Sequence, residues 1–312
     1  MQLDYDRLDP ELTPMLEAFP PLDINRDNIV AIRELLASRP APPSLFDVSE
    51  ERRQIDGPDG PLDVILYRAS DKPRQAALQW IHGGGYILGS ADDERARMIA
   101  AELDCTVCSV DYRLAPEHPF PAGSEDCYAA LLWLRNNAAD LGVDAARLAI
   151  GGASAGGGLA AGLALMNRDR DNVPLTLQLL IYPMIDNLHA TASGQFENHP
   201  VWKRSTSFNA WEMYLDGVPG DAASPYAAAT RATDLTGVPP AYVCVGTEDL
   251  FYNEDVEYAV RLNEAGVACE LAVFPGLFHG ADAFLPAAAV SQRLSRSFLA
   301  ALSSSFGSPA TA

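Results

Sequence analysis

One serine, Ser154, stands at the centre of the small-residue stretch Gly152–Gly156. The apolar run Leu148–Gly151 precedes this stretch, and a run of small residues typical of a closely packed helix follows it. A strand that turns sharply into a helix exposes the side chain at the turn, and the N–H groups that begin the helix favour negative charge there. The pattern predicts either a nucleophilic serine, supported by Gly152 and Gly156, or an ordinary glycine-rich turn. Its partners decide between the two.

A serine hydroxyl is a weak nucleophile that needs a general base and a group to orient that base. His279 lies in a loop directly after the last predicted strand, and Asp249 follows the strand before it. Both side chains are therefore expected at the carboxyl edge of a sheet, as is Ser154. The order serine, acid, histidine is that of α/β-hydrolases. Ser154, Asp249 and His279 are the predicted catalytic residues, with Glu248 as the close competitor for the acid.

Donors for a developing oxyanion are predicted in the loop that begins at His82 and continues through Gly83, Gly84 and Gly85. Glycine lets backbone N–H groups approach a ligand without interference from a Cβ. The N–H groups of Gly83 and Gly84, with that of Ala155, are expected to form an oxyanion hole. His82 and Gly85 are expected to support this loop. Neither GxGxxG nor GxxxxGK[ST] occurs, so a nucleotide is not an expected ligand.

The remaining cysteines and histidines could in principle bind a metal or carry out redox chemistry, but their spacing does not support either role. Five cysteines are an odd number without the spacing of a disulfide framework, which fits reduced thiols. Cys105 and Cys108 have CxxC spacing but lie in an apolar run, and no second ligand pair follows. His118, His189 and His199 lack a matching motif, so structural or solvent-exposed roles are expected. No metal and no organic cofactor is expected.

Composition bounds the class of protein. The chain has 312 residues, 48% of them hydrophobic, and a formal net charge of −20. This length fits one large α/β domain with insertions. The negative charge repels nucleic acid and anionic lipid, so neither nucleic acid nor a membrane is an expected partner. The N-terminus lacks the features of a signal peptide, and the apolar runs are shorter than the roughly 20 residues of a membrane helix. A cytoplasmic location is expected.

Short apolar runs alternate with helical stretches along most of the chain, which predicts a mostly parallel sheet with helices on both faces. The turn residues of Ile55–Pro61 predict an antiparallel hairpin at the start of this sheet. The other predicted strands are Asp63–Tyr67, Ala77–Ile81, Cys105–Val110, Leu148–Gly151, Leu175–Tyr182, Ala241–Val245 and Glu270–Phe274. The predicted helices are Ala91–Leu103, Glu125–Asn136, Ala155–Met166, Asn253–Glu264 and Val290–Leu302.

Two segments break the alternation. In the N-terminal region, helical patterns at Pro10–Glu17 and Asn28–Ser38 are separated by prolines. The second segment, residues 186–225, is rich in aromatic side chains. Such spacing usually indicates the core of a helix. Because this segment leaves the carboxyl end of a strand, where α/β ligand sites lie, a lid that lines an acyl pocket is the alternative.

Together these motifs resemble the hormone-sensitive-lipase-like branch of the α/β-hydrolases, the bacterial carboxylesterases that carry HGGG and GDSAGG or GTSAGG. The matching stretches are His82–Tyr86, Asp111–Ala122, Gly152–Gly157 and Asp249–Glu254, the last similar to the DPLRDE motif of the branch. The last match selects Asp249 over Glu248 as the acid. The resemblance implies an α/β-hydrolase fold with an eight-stranded sheet and a helical cap.

In that branch the cap combines N-terminal helices with an insertion, and members often form a homodimer through the last edge strand, which the resemblance implies here too. The parts implied are N-terminal cap helices over residues 1–45, a first core segment over 46–185, a cap insertion over 186–225 and a second core segment over 226–312. The side chains expected to line a substrate pocket are Tyr86, Tyr182, Trp202, Phe208, Trp211, Tyr214, Leu250 and Phe278.

This chain departs from the pattern of the branch at two places. Ala153 stands where the branch has Asp or Thr, and the DPLRDE-like stretch lacks the Pro and the Arg. Neither change removes a catalytic group. Ala153 is expected to alter loop rigidity or the response to pH more than the chemistry.

The predicted function is a serine carboxylesterase that hydrolyses small-molecule esters with short to medium acyl chains through an acyl-enzyme. Two alternatives stay open. One is a ligand-binding receptor of the same fold without catalysis, against which the presence of His279 argues. The other is an amidase or peptidase that uses the same three residues.

Overall fold

The computed structural model describes residues 2–16, 23–39, 43–199 and 201–307. The predicted end of the first helix at Glu17 and the prolines at 20 and 21 lie outside these residues. So do residues 40–42, residue 200 and the last five residues of the chain.

The central element is one eight-stranded sheet. Its strands are, in chain order, β1 (Ser49–Gly57), β2 (Gly60–Arg68), β3 (Gln75–Ile81), β4 (Thr106–Val110), β5 (Val143–Ala153), β6 (Gln178–Ile181), β7 (Ala241–Gly246) and β8 (Cys269–Phe274). They lie side by side in the order β1-β2-β4-β3-β5-β6-β7-β8. β2 pairs antiparallel with β1 and β4, and the remaining neighbours are parallel. The predicted α/β-hydrolase fold is confirmed.

The predicted hairpin at the start of the sheet is formed by β1 and β2, which pair from Ser49 opposite Arg68 to Gly57 opposite Gly60. Gly60 has a φ of +131°, a region open to glycine but not to most other residues. At the other end of the sheet, β8 is an edge strand. The homodimer expected through this strand stays a prediction.

Helices surround the sheet in the described part of the chain. They are α1 (Thr13–Leu16), α2 (Ile29–Ala37), α3 (Glu94–Leu103), α4 (Ala122–Asn136), α5 (Ala155–Asp169), α6 (Arg204–Leu215), α7 (Tyr252–Glu264), α8 (Ala281–Phe284) and α9 (Ala289–Gly307). Every residue of β3, β4, β6 and β7 is buried, so both faces of the sheet are covered. Within the described ranges, none of the helices combines the length and the apolar character needed to cross a bilayer.

The two segments that break the alternation contact each other. The backbone N–H of Leu3 donates to Asn198 at 2.7 Å, and the Asn198 side-chain amide donates to the Leu3 carbonyl at 3.0 Å. The side chain of Asn209, in α6, donates to the carbonyl of Ile24 at 2.9 Å. These hydrogen bonds support a cap built from both segments, although its division at residues 45, 186 and 225 stays a prediction.

The turn from β5 into α5 crosses the end of β3 at very short range. A Cβ on Gly156 would lie 2.0 Å from the carbonyl oxygen of Ile81, and one on Gly152 would lie 2.5 Å from the same oxygen. Both distances are far below van der Waals contact, and backbone atoms cannot move aside as the end of a flexible side chain can. The crossing therefore requires glycine at both positions.

Replacing Gly156 with Ala should lower the free energy of unfolding by about 1–3 kcal/mol, because the added methyl group overpacks a backbone contact. Gly217→Ala is the matched control, since a Cβ on Gly217 meets no described atom within 4 Å. Urea denaturation of both variants measures the difference. Equal stabilities for the two variants would contradict the requirement for glycine at the crossing.

Candidate active site

Ser154 occupies the single residue between β5 and α5, with φ 57° and ψ −122°. Residues other than glycine rarely adopt positive φ, so the surroundings must hold this conformation in place. The Ser154 N–H donates to the carbonyl of Ile181 at 2.9 Å, and the Ser154 carbonyl accepts from Met184 N–H at 2.9 Å. The end of β6 thus fixes the backbone that presents the serine hydroxyl.

The three predicted catalytic side chains come together in one chain of hydrogen bonds. Nε2 of His279 lies 2.9 Å from Oγ of Ser154, and Nδ1 of His279 lies 2.8 Å from Oδ2 of Asp249. An ionised carboxylate only accepts hydrogen bonds, so Nδ1 carries the hydrogen and Nε2 is left to accept from the serine hydroxyl. The other carboxylate oxygen of Asp249 accepts from the N–H of Phe251 at 3.0 Å. This geometry suits proton transfer from Ser154 to His279.

The competing carboxylate has different partners. Glu248 forms an ion pair with Arg7 at 2.9 Å and accepts from the Thr247 hydroxyl at 2.9 Å. Asp249 is fully buried against the imidazole of His279. The geometry therefore favours Asp249 over Glu248 as the acid, as the resemblance implies.

Two aromatic rings meet the imidazole of His279 nearly edge to face. The ring centroid of Tyr182 lies 4.8 Å from that of His279, and the centroid of Phe251 lies 4.9 Å away. Such arrangements are favourable for aromatic rings and restrict the orientation of the imidazole. The side chain of His279 is consequently held on both sides.

Behind Tyr182 lies a buried polar network that sequence reasoning does not find. The Arg95 guanidinium donates to Tyr182 Oη at 2.6 Å and to Asp282 at 2.7 Å, and the Tyr182 hydroxyl donates to Asp282 at 2.8 Å. Burial raises the pKa of Tyr182 well above its usual value, so its hydroxyl keeps its hydrogen. The network joins α3, the residue after β6 and α8, which begins two residues after His279. It supports the loop of His279 from behind.

The glycine loop lies directly against the serine. A Cβ on Gly83 would lie 2.9 Å from the carbonyl oxygen of Ala153 and 3.4 Å from Cβ of Ser154. Gly84 has φ +114°, and a Cβ there would lie 2.2 Å from the Leu88 carbonyl oxygen. The first N–H groups of a helix have no partner within the helix. The N–H of Ala155, the first residue of α5, is one of these groups. The structure thus places Gly83 against Ser154 and Ala155 directly after it, and Gly84 follows in the same loop.

His82 holds the start of this loop. Its Nδ1 donates to the carbonyl of Gly83 at 2.8 Å, and its ring stacks on Tyr112 with the centroids 4.2 Å apart. The Tyr112 hydroxyl donates to the His82 carbonyl at 3.1 Å. Burial lowers the pKa of His82, so the neutral ring is favoured. These contacts suit a supporting role.

The side chains predicted to line a substrate pocket lie in different surroundings. Tyr86 stacks on Tyr214 with the centroids 4.0 Å apart, and Trp211 packs against Tyr86 at 5.0 Å. The ring of Trp202 covers Gly85 of the glycine loop. Phe208 is half-buried. All the other predicted pocket side chains are buried, including Tyr182, Leu250 and Phe278.

The CxxC pair lies inside the protein. Cys105 and Cys108 are free, buried thiols, and burial raises the pKa of each to about 12. Thiols with such a pKa are poor nucleophiles and poor metal ligands at neutral pH. In the part of the chain that the structure describes, no three His, Cys, Asp or Glu side chains converge in a way that could hold a metal ion.

A family model described as the α/β hydrolase fold matches residues 78–283, a range that includes the glycine loop, the serine, the acid and the histidine. The chain belongs to the α/β-hydrolases, in their hormone-sensitive-lipase-like branch. The resemblance drawn from the motifs is confirmed.

Relatives of this α/β-hydrolase match over most of their length. Carboxylesterase NlhH of Mycobacterium tuberculosis (strain ATCC 25618 / H37Rv) is 35% identical over 293 residues, which cover 90% of this chain and 92% of the relative. An arylesterase of Saccharolobus solfataricus is 31% identical over 277 residues, covering 83% and 87%. The solved structure of a bacterial heroin esterase superposes with a TM-score of 0.91 at 39% identity, covering 97% of this chain and 99% of that one.

Replacing Asp282 with Asn should lower the free energy of unfolding by about 3 kcal/mol, because Arg95 is then buried without its counter-ion. Tyr182→Phe is the milder comparison, since it removes only the hydroxyl and keeps the ring beside His279. This second variant should lose about 1 kcal/mol. Urea denaturation measures both losses, and a loss in Asp282→Asn no larger than that in Tyr182→Phe would contradict the network.

Proposed function

We propose that this α/β-hydrolase is a serine carboxylesterase. The observation that carries the proposal is the pair of hydrogen bonds of 2.9 Å and 2.8 Å that links Ser154 through His279 to Asp249. The relatives NlhH and the arylesterase carry names of the same activity class.

Acylation begins when Oγ of Ser154 attacks the ester carbonyl carbon and Nε2 of His279 takes the hydroxyl proton. The new C–O bond leaves a negative charge on the former carbonyl oxygen. The tetrahedral intermediate then collapses, the bond to the alcohol oxygen breaks, and Nε2–H returns the proton to the departing alcohol. Asp249 stabilises the imidazolium that exists between these two transfers.

The negative oxygen of the intermediate needs donors that are already oriented, because reorienting them during the reaction would raise the barrier. We assign this role to the N–H groups of Gly83, Gly84 and Ala155. The close contact of Gly83 with Ala153 and with Cβ of Ser154 supports the assignment.

Deacylation repeats the sequence with water as the nucleophile. His279 takes a proton from water, the resulting oxygen attacks the acyl carbon, and the bond to Oγ of Ser154 breaks. Nε2–H returns the proton to Oγ, which restores the free enzyme and releases the carboxylic acid. The protein side chains and N–H groups named above supply every proton transfer and charge contact in this sequence.

The substrates we propose are small-molecule esters with short to medium acyl chains. Trp202 and Phe208 of the insertion offer apolar surface, and Trp202 covers Gly85 of the glycine loop. In apolar pockets one methylene changes selectivity by only about 1–3 kcal/mol, so several chain lengths should be accepted.

Ser154→Ala and His279→Ala should each remove nearly all turnover of p-nitrophenyl butyrate, because the nucleophile or its base is gone. Asp249→Asn should lower kcat by about 10⁴-fold, because it leaves the geometry intact but favours the wrong histidine tautomer. Spectrophotometric rates on purified variants measure these losses, with circular dichroism to verify folding. Full activity in a folded Ser154→Ala or His279→Ala variant would overturn the proposal.

A panel of esters from acetyl to lauroyl, each with its matched anilide, separates the proposal from its alternatives. We expect hydrolysis of the esters, with rates that fall at the longest chains, and slow or no hydrolysis of the anilides. Comparable rates on the anilides would indicate an amidase. Binding of these compounds without turnover would indicate a receptor.

A further inference from the structure

Among the buried N–H donors of the insertion that lack an acceptor, two lie within four residues of each other. They are Nε2 of His199 and Nε1 of Trp202, and neither has a hydrogen-bond partner among the described residues. The side chains of His199 and Trp202 are only 2% and 7% exposed. A buried donor that lost its water and gained no partner is costly, so native proteins seldom keep one without a reason. Here two occur within four residues.

The hydrogen-bond partners of His199 define which nitrogen is the donor. Its Nδ1 accepts from the backbone N–H groups of Val201 at 3.2 Å and Trp202 at 3.1 Å. A nitrogen that accepts carries no hydrogen in the neutral ring, so the hydrogen is on Nε2. Burial lowers the pKa of His199 to about 3, and the ring therefore stays neutral at physiological pH. Nε2–H is a neutral donor.

His199 lies on the histidine side of the candidate active site. Its ring meets Phe278, the residue before His279, nearly edge to face with the centroids 5.8 Å apart. The charges of Asp249 and His279 both act on its ionisation. His199 is therefore close enough to the proposed catalytic residues to belong to the same site.

Trp202 lies on the glycine-loop side of the same site. A Cβ on Gly85 would lie 2.4 Å from Cη2 and 2.6 Å from Cζ2 of the indole. Cζ2 is bonded to the ring carbon that carries Nε1, so the edge of the indole that covers Gly85 is also the edge that holds its donor. Trp202 and His199 thus each contact one of the two loops that the proposed chemistry uses.

We propose that His199 Nε2–H and Trp202 Nε1–H bind a hydrogen-bond acceptor of the substrate other than the reacting carbonyl. This inference rests on the proposed esterase function and names its substrate class: esters with a second neutral oxygen, as an ether, a ketone or another ester. Both donors are uncharged, and the Asp249 carboxylate lies nearby. A neutral acceptor therefore suits the site better than an anion.

Two pairs of esters that differ by one atom test the proposal. p-Nitrophenyl methoxyacetate and p-nitrophenyl butyrate differ on the acyl side, and 2-methoxyethyl acetate and butyl acetate differ on the alcohol side. In each pair an ether oxygen replaces a methylene at nearly constant shape. The quantity compared is the ratio of kcat/KM for the oxygen ester to that for the carbon ester. Dividing the ratio of a variant by that of the wild type cancels the intrinsic reactivity of the esters.

Two variants remove the donors with little other change. His199→Asn puts an acceptor oxygen where Nδ1 receives its two backbone N–H groups, but it has no atom at the position of Nε2. Trp202→Phe keeps an aromatic ring over Gly85 and removes Nε1–H. Each variant should lower the ratio about tenfold in the same pair, because a hydrogen bond to the substrate oxygen is lost. If His199→Asn does not fold, the ratio measured for Trp202→Phe is sufficient to test the proposal.

Tyr258→Phe is the matched control, because the buried hydroxyl of Tyr258 in α7 also lacks a partner in the described structure and Tyr258 is not among the predicted site residues. Its ratios should stay at the wild-type values. Ratios within threefold of the wild type for Trp202→Phe, or for a folded His199→Asn, would overturn the proposal, as would an equal fall in Tyr258→Phe. Failure of the wild type to hydrolyse any of the four esters would instead contradict the esterase function itself.

Discussion

The close crossing of the β5–α5 turn over the end of β3 determines the position of the proposed nucleophile and of the loop proposed to stabilise the oxyanion. Gly152 and Gly156 lie against the carbonyl of Ile81, and this contact leaves no space for a side chain at either position. The same contact exposes Ser154 at positive φ. Because the glycine loop continues directly from β3, the crossing also brings Gly83 against Ala153 and the serine. Nucleophile and oxyanion donors thus depend on one backbone contact.

The histidine depends on a different kind of interaction, a buried set of charges and hydroxyls behind it. Asp249 orients the imidazole directly. Asp282 acts on it only indirectly, by holding the Tyr182 ring in a hydrogen-bond network that includes Arg95. Each carboxylate has its own buried partner, so the two do not compete for the same proton. The imidazole of His279 is thus held between the rings of Tyr182 and Phe251. The network behind Tyr182 joins α3, the end of β6 and α8, which are distant in the chain.

The sequence was enough to predict the sheet, its hairpin and the residues at the strand ends, because each of these features has a local signal: alternating runs, turn residues and motifs next to predicted strands. The sequence does not delimit helix α6 inside the insertion, since its aromatic residues fit either a helix core or a lid. The partnership of Arg95 with Tyr182 and Asp282 has no local signal at all, as the residues are 87 and 187 positions apart from Arg95. The sequence predicts only a structural or exposed role for His199, because its buried, unpaired donor and its contact with Phe278 are visible only in the tertiary structure.

Covalent labelling of Ser154 tests the central claim most directly. A fluorophosphonate forms a stable bond with a serine oxygen only where a base removes its proton and donors stabilise the negative oxygen that develops. Intact-mass spectrometry with peptide mapping should find one adduct per chain, on Ser154, and a greatly slowed reaction in His279→Ala. An adduct on another residue, or an unmodified wild-type protein under conditions that label a serine esterase control, would contradict the account.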